Sequence, residues 1–299
     1  MNILMTGGTG FIGGALTKEL AAQGHTVTVL SRSPDKVAKQ CGAGIHALAS
    51  LSQVNAEDRY QVIVNLAGAP IVGARWSRAR KQEIRDSRIG LTEQLITCIT
   101  RLEVKPELLI SGSAIGYYGN QGDTVLNEQA TPYEDFSQQL CADWEAAATQ
   151  AEQFGVRVCL IRTGLVIAGG GGFLQQMLLP FRLGLGGRLG DGRQWMSWIH
   201  RHDWIAIALA MMADASMNGA YNATAPNPVT NAEFTRILAQ CLNRPALLPV
   251  PAFALKMMLG EMSQLVLGSQ RVVPERLLAH GFKFHYEELA AALNEALSH

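Results

Sequence analysis

Thr6-Gly7-Gly8-Thr9-Gly10-Phe11-Ile12-Gly13 sets glycines at 7, 10 and 13, a spacing suited to holding phosphate against main chain. One glycine permits a tight turn, the next lets backbone approach a pyrophosphate, and the third lets a helix pack closely on the strand before it. The start of that helix offers free N–H groups and a partial positive charge to an anion. A glycine triplet alone is weak evidence. Here an apolar run, Asn2 to Thr6, precedes it and a helical pattern, Phe11 to Ala22, follows. That context favours a bound dinucleotide, contacted by Gly7, Thr9, Gly10, Phe11, Ile12 and Gly13, over an empty turn.

The kind of dinucleotide is read at the end of the second strand, about 20 residues past the glycines, where an Asp or Glu bonds the ribose 2′-hydroxyl of NAD. This chain has Leu30-Ser31-Arg32-Ser33 there. With no acid in place, Arg32 and the Ser31 hydroxyl can accept a 2′-phosphate, so NADP(H) is the expected cofactor. The alternative for Arg32 is a solvated surface arginine.

These residues need a sheet to position them. Strand-like runs recur at Thr26–Leu30, Val62–Leu66, Leu108–Ser111 and Val156–Ile161, with helical patterns at about Arg78–Leu102 and Phe136–Phe154. Strands alternating with helices predict an α/β fold, a Rossmann-type doubly wound parallel sheet. After Gly169-Gly170-Gly171-Gly172 helices dominate, which predicts a smaller, mainly α lobe. The expected division is 1–168 and 169–299, with sheet-completing segments reaching about residue 225.

Composition narrows the rest. The chain has 299 residues, 48% of them hydrophobic, and 25 basic against 25 acidic side chains. No global field draws it to nucleic acid or to an acidic membrane surface, so neither is expected as a partner. Five scattered cysteines without a C-x-x-C pair fit free thiols in a reducing compartment. No signal-peptide pattern opens the chain, and Pro251 to Gly268 reads as a packed helix because Lys256 and Glu261 interrupt it. A cytoplasmic location is expected; an oligomer stays open. His200, His202 and Asp203 lack a further pair at ligand spacing, so no metal is expected. Asp203 reads as the cap of a helix from Trp204 to Ala213, and Arg78, Arg80, Lys81 and Arg85 as a solvated helix face.

Asn65-Leu66-Ala67-Gly68 and Ser111-Gly112-Ser113-Ala114, taken with the glycine loop, resemble the short-chain dehydrogenase/reductase superfamily. Arg162-Thr163-Gly164-Leu165-Val166, Leu179-Pro180-Phe181-Arg182-Leu183-Gly184, Trp198-Ile199-His200 and Gly281-Phe282 resemble its extended, atypical branch of NAD-dependent epimerase-like proteins, the SDR39U1-like group. The resemblance spans essentially the whole chain. It implies that Leu66 and Ala67 lie along the adenosine side of the cofactor, that Gly68 also contacts it, and that Glu83, Arg88 and Val166 reach it, Arg88 near the nicotinamide. Glu83 fits this less well, because five residues on a regular helix turn it about 140° from Arg88.

The superfamily's proton-transfer group is Ser with Tyr-x-x-x-Lys, whose lysine lowers the tyrosine pKa. Four residues after the six tyrosines stand Val64, Gln121, Gly122, Ser137, Ala225 and Ala290, and no lysine occurs between Lys105 and Lys256. Aligning Glu145 with the acid that follows the motif sets Ser137 and Cys141 at the Tyr and Lys positions, shifting one residue sets Phe136 at the Tyr position, and neither register restores the pair.

Ser113 still stands at the place of the catalytic serine, either bonding a substrate carbonyl or capping its strand. Tyr117 and Tyr118 offer either a phenolic proton or an aromatic lid. Cys141 reads as a buried helical cysteine in preference to a thiolate. The resemblance sets Gly190 to Asp203 beside the substrate cleft, with Arg193 to clamp an anionic group and tryptophans to wall the pocket. Two functions follow: an NADP(H)-dependent oxidoreductase or epimerase-like enzyme acting on a small oxygenated substrate, nucleotide sugars among the candidates, or a catalytically silent NADP(H)-binding module that reports redox state.

Overall fold

The computed structural model describes residues 1–298; residue 299, the end of the expected second lobe, lies outside them. Seven parallel strands form one sheet: β1 (Asn2–Thr6), β2 (Thr26–Leu30), β3 (His46–Leu48), β4 (Val62–Asn65), β5 (Leu108–Ala114), β6 (Arg157–Thr163) and β7 (Gly219–Ala223). Their order is β7-β6-β5-β4-β1-β2-β3. The chain winds outward from β1 through β3, then returns to lay β4 on the other side of β1. The carboxyl ends of β1 and β4 therefore flank a topological switch point, where open α/β sheets bind ligands.

The central strands are continuous apolar runs because both their faces are covered. Ile3 and Met5 point to one core with Leu16 and Leu20 of the helix Gly13–Ala22 and Trp204, Ile207 and Met211 of the helix Arg201–Ala213. Leu4 and Ile63 point to the other, against Leu95, Ile96 and Ile99 of the helix Leu91–Arg101. A third core holds Leu174, Phe181, Trp198, Phe234 and Leu293 in the C-terminal part.

Four readings change. The pattern over 78–102 is three pieces: helix Arg78–Arg85, a π-helical turn Asp86–Gly90 and helix Leu91–Arg101. Within that wider turn the Ser87 hydroxyl accepts from the Ala69 amide and donates to the Ile84 carbonyl, joining the helix to the loop after β4. Trp198 is fully buried, its indole N–H on the Asn227 carbonyl, so it is core and not a pocket wall.

The stretch 251–268 breaks into helix Ala252–Leu259, a 3₁₀ turn Gly260–Ser263 and helix Gln264–Leu267, and it leaves Phe253, Met257 and Met258 exposed. Asp203 is not the helix cap: the helix starts at Arg201 and His200 Nδ1 accepts from the His202 amide. Asp203, 1% exposed, instead accepts the amides of His285 and Tyr286 at 2.8 and 2.9 Å, anchoring the C-terminal segment to the sheet's covering helix.

Losing two charge-assisted bonds at a buried site is costly. Asp203→Ala should lower the unfolding free energy by about 3 kcal/mol in urea titration. A loss under about 0.5 kcal/mol would mean the anchor contributes little.

Candidate functional site

At the switch point main chain meets main chain. Gly7 has φ +70°, and a Cβ there would stand 2.6 Å from the Leu66 carbonyl carbon and 2.8 Å from the Ala67 nitrogen. A Cβ on Gly13 would meet the Gly7 oxygen at 2.2 Å, and the Gly10 amide donates to that same oxygen at 2.9 Å. Only glycine fits either place. The helix that starts at Gly13 has no side-chain cap, and its Gly14 amide is taken by the Gly10 carbonyl at 2.8 Å, so the amides left to an anion are those of Phe11, Ile12 and Gly13. Thr9 and Gly10 are exposed; Phe11 and Ile12 are half-buried.

A buried polar chain fixes the strand ends beneath this turn. The Thr6 hydroxyl donates to Asn65 Oδ1 at 2.8 Å and accepts the Leu66 and Ala67 amides. Asn65 Nδ2 donates to the hydroxyls of Thr92 and Ser111, and the Trp144 indole N–H donates to Thr92 Oγ1. Every member has a partner, the condition under which a buried network rigidifies a site.

Ser31 and Arg32 follow the end of β2. The Ser31 hydroxyl accepts the Ser33 amide, and Arg32 is exposed. Arg88 lies on the π-helical turn with its guanidinium against Gly68, where a Cβ would stand 2.9 Å from Arg88 Cζ. Burial pushes its pKa down. Neither arginine makes an ion pair among the described residues.

Glu83 stands apart, exposed and bonded to Arg80 at 2.7 Å. Val166, half-buried, pairs with Ile199 in a short two-strand ladder beside the sheet. Sequence reasoning missed the cover over the turn. Gly171 and Gly172 pack on the Phe11 ring, and the Arg201 guanidinium lies 4.8 Å from its centroid. The signal was the glycine run 169–172, which marks close passage of backbone.

Residues 3–224 match the NAD dependent epimerase/dehydratase family, and residues 250–296 match a domain of unknown function, DUF1731. The chain belongs to the epimerase/dehydratase family. Within it, the chain is 40% identical over 299 residues to the chloroplastic SDR39U1 homologue of Arabidopsis thaliana, covering 98% of this chain and 86% of that one. It is 38% identical to the epimerase family protein YfhF of Bacillus subtilis, covering 100% and 98%. The crystal structure of human SDR39U1 with NADPH superposes with TM-score 0.90 at 35% identity, covering 100% and 99%.

Against the pattern of this family's superfamily, the proton-transfer region is rebuilt. Ser137 and Cys141 are buried under Gly116, where a Cβ would stand 3.3 Å from Ser137 Cβ and 3.6 Å from Cys141 Sγ. Burial, then the Glu145 charge, pushes the Cys141 thiol up to about 12. Glu145 is bound in bidentate fashion by Arg162, Nε and Nη2 each at 2.8 Å, and accepts the Ser113 hydroxyl at 2.6 Å.

The tyrosines divide. Tyr118 is fully buried, accepts from Arg162 Nη1 and donates to Asn222 Oδ1 at 2.6 Å, and burial pushes its phenol up to about 12. It does not stand at the mouth of a site. Tyr117 is half-buried, its ring 3.5 Å from the Arg162 guanidinium carbon. Farther off, Arg193 is exposed, and Trp195 donates to Asp123 while Arg271 lies over its ring.

Removing the carboxylate would strand a buried guanidinium. Glu145→Gln should cost about 3–5 kcal/mol in thermal or urea unfolding. Near-wild-type stability would show that Arg162 does not depend on that charge.

Proposed function

We propose that this chain binds NADP(H) at the Gly7–Gly13 turn and acts on a small oxygenated substrate as an oxidoreductase or epimerase-like enzyme, with a proton donor other than Tyr-x-x-x-Lys. The uncapped helix start, set by two glycine contacts at the switch point, carries this reading. The unpaired Arg32 after β2, with no acid beside it, supports the 2′-phosphorylated cofactor, as does NADPH in the human relative. Residues 1–168 hold the dinucleotide in this reading, and 169–299 close the substrate side.

The cofactor supplies a hydride to, or accepts one from, a carbon bearing oxygen. The chain supplies the electrostatics. Gly7, Thr9, Gly10, Phe11, Ile12 and Gly13 hold the pyrophosphate, Ser31 and Arg32 hold the 2′-phosphate, and Leu66, Ala67, Gly68 and Val166 bound the cofactor channel. Arg88, without a carboxylate partner among the described residues and packed against Gly68 of this channel, stabilises negative charge developing on the substrate oxygen.

Of the candidate catalytic residues, Tyr117 is left to exchange a proton with that oxygen. Ser113 and Tyr118 position the floor through Glu145 and Arg162. Glu83, exposed and paired, has no part in this scheme. The second reading, a silent NADP(H)-binding module, is favoured by the commitment of Ser113 to Glu145.

The test has two parts. Arg32→Asp should weaken NADPH binding by about a hundred-fold and NADH binding by no more than a few-fold, since only one ligand loses charge-assisted bonds; equal losses would remove Arg32 from the 2′-phosphate. NADPH oxidation over a panel of aldehydes, ketones and nucleotide sugars should find turnover that Arg88→Met lowers at least ten-fold. Tight NADPH binding without turnover on any of them would establish the silent module.

A further inference from the structure

The chain's balanced charge hides a local asymmetry. Residues 172–190 and 242–260 contain no Asp or Glu, while Arg182, Arg188, Arg244 and Lys256 lie within them. Among the described residues the same two segments hold eight of the thirteen exposed large hydrophobic side chains, including Leu179, Leu183, Leu247 and Phe253, with Leu247 81% and Phe253 72% exposed. Leu248 N donates to the Gly186 carbonyl, Val250 N to Arg188, Gly190 N to Val250 and Arg244 Nε to Arg182. The two segments therefore lie side by side. Arg188, Arg236, Arg244 and Leu247 line one open groove of about 890 Å³, with Glu233 4.0 Å from Arg236 at its rim.

We propose that this face is a docking surface for an anionic lipid bilayer, on which the exposed leucines and Phe253 enter the interface while the arginines bind headgroup phosphates. Apolar side chains flanked by cations are what such surfaces attract. A second copy is disfavoured: a two-fold contact would set four cations against the same four. No helix among the described residues is long and apolar enough to cross a membrane, so contact is with one surface.

The test is sedimentation of the full chain with sucrose-loaded vesicles. Vesicles of phosphatidylcholine with about one third phosphatidylglycerol should retain the protein at low salt and release it at about 0.5 M salt. Pure phosphatidylcholine should retain far less. The triple variant Arg182→Ser, Arg188→Ser, Arg244→Ser should bind the anionic vesicles roughly a hundred-fold more weakly, at about five-fold per cation.

Leu247→Ser with Phe253→Ser should lose at least ten-fold. Val104→Ser with Leu278→Ser, which removes exposed apolar side chains elsewhere, should change nothing; all variants are exposed-site changes whose melting is checked by circular dichroism. Failure of the wild type to sediment, equal binding to neutral vesicles, or unaltered binding by the patch variants would overturn the proposal. So would a dimer in light scattering that Phe253→Ser dissolves, since a second copy would then cover this face.

Discussion

The arrangement rests on the absence of two Cβ atoms. With Gly7 against Leu66 and Ala67, and Gly13 against the Gly7 carbonyl, β1, the loop after β4 and the first helix meet at backbone distance. A side chain at either place would force them apart, because real Cβ atoms do not approach backbone so closely. That contact aims the uncapped helix start at the crevice where the strand order reverses. The Thr6–Asn65 bond, with Thr92, Ser111 and Trp144 behind it, holds the strand ends in register beneath.

Much of this was legible from residue order. The glycine spacing, the apolar runs of β1, β2, β4, β5 and β6, and the intervening helical periodicity point to a doubly wound parallel sheet, and the sheet has that form. β3 was not legible, because three residues at an edge, His46-Ala47-Leu48, carry no pattern that differs from a loop. The π-helical turn at Asp86–Gly90 was hidden too. Its residues keep an acceptable helical period, and only the tertiary demand of Ser87 for the Ala69 amide widens the turn. Trp198 looked like a cleft residue because a tryptophan's exposure is set by what packs on it, here Phe234 and its neighbours.

The loss of Tyr-x-x-x-Lys was visible as an absence, but its replacement was not. Glu145 and Arg162 are 17 residues apart and meet only because one helix packs across β6 beside β5. The pair, with Ser113 and Tyr118 bonded to it, is a closed set in which each donor has an acceptor. Such a set suits a rigid floor better than a relay, since moving a proton through it would break charge-assisted bonds at a site where nothing replaces them. In the proposed scheme chemistry therefore falls to groups outside this set, Arg88 and Tyr117 foremost.

A crystal structure of the chain with NADPH tests the account most directly. It predicts the pyrophosphate on the amides at the Phe11–Gly13 helix start, the 2′-phosphate on Ser31 and Arg32, and the Ser113 hydroxyl still bonded to Glu145 with the nicotinamide ring at Arg88. A dinucleotide bound away from the glycine turn, or Ser113 turned from Glu145 toward the nicotinamide, would contradict it.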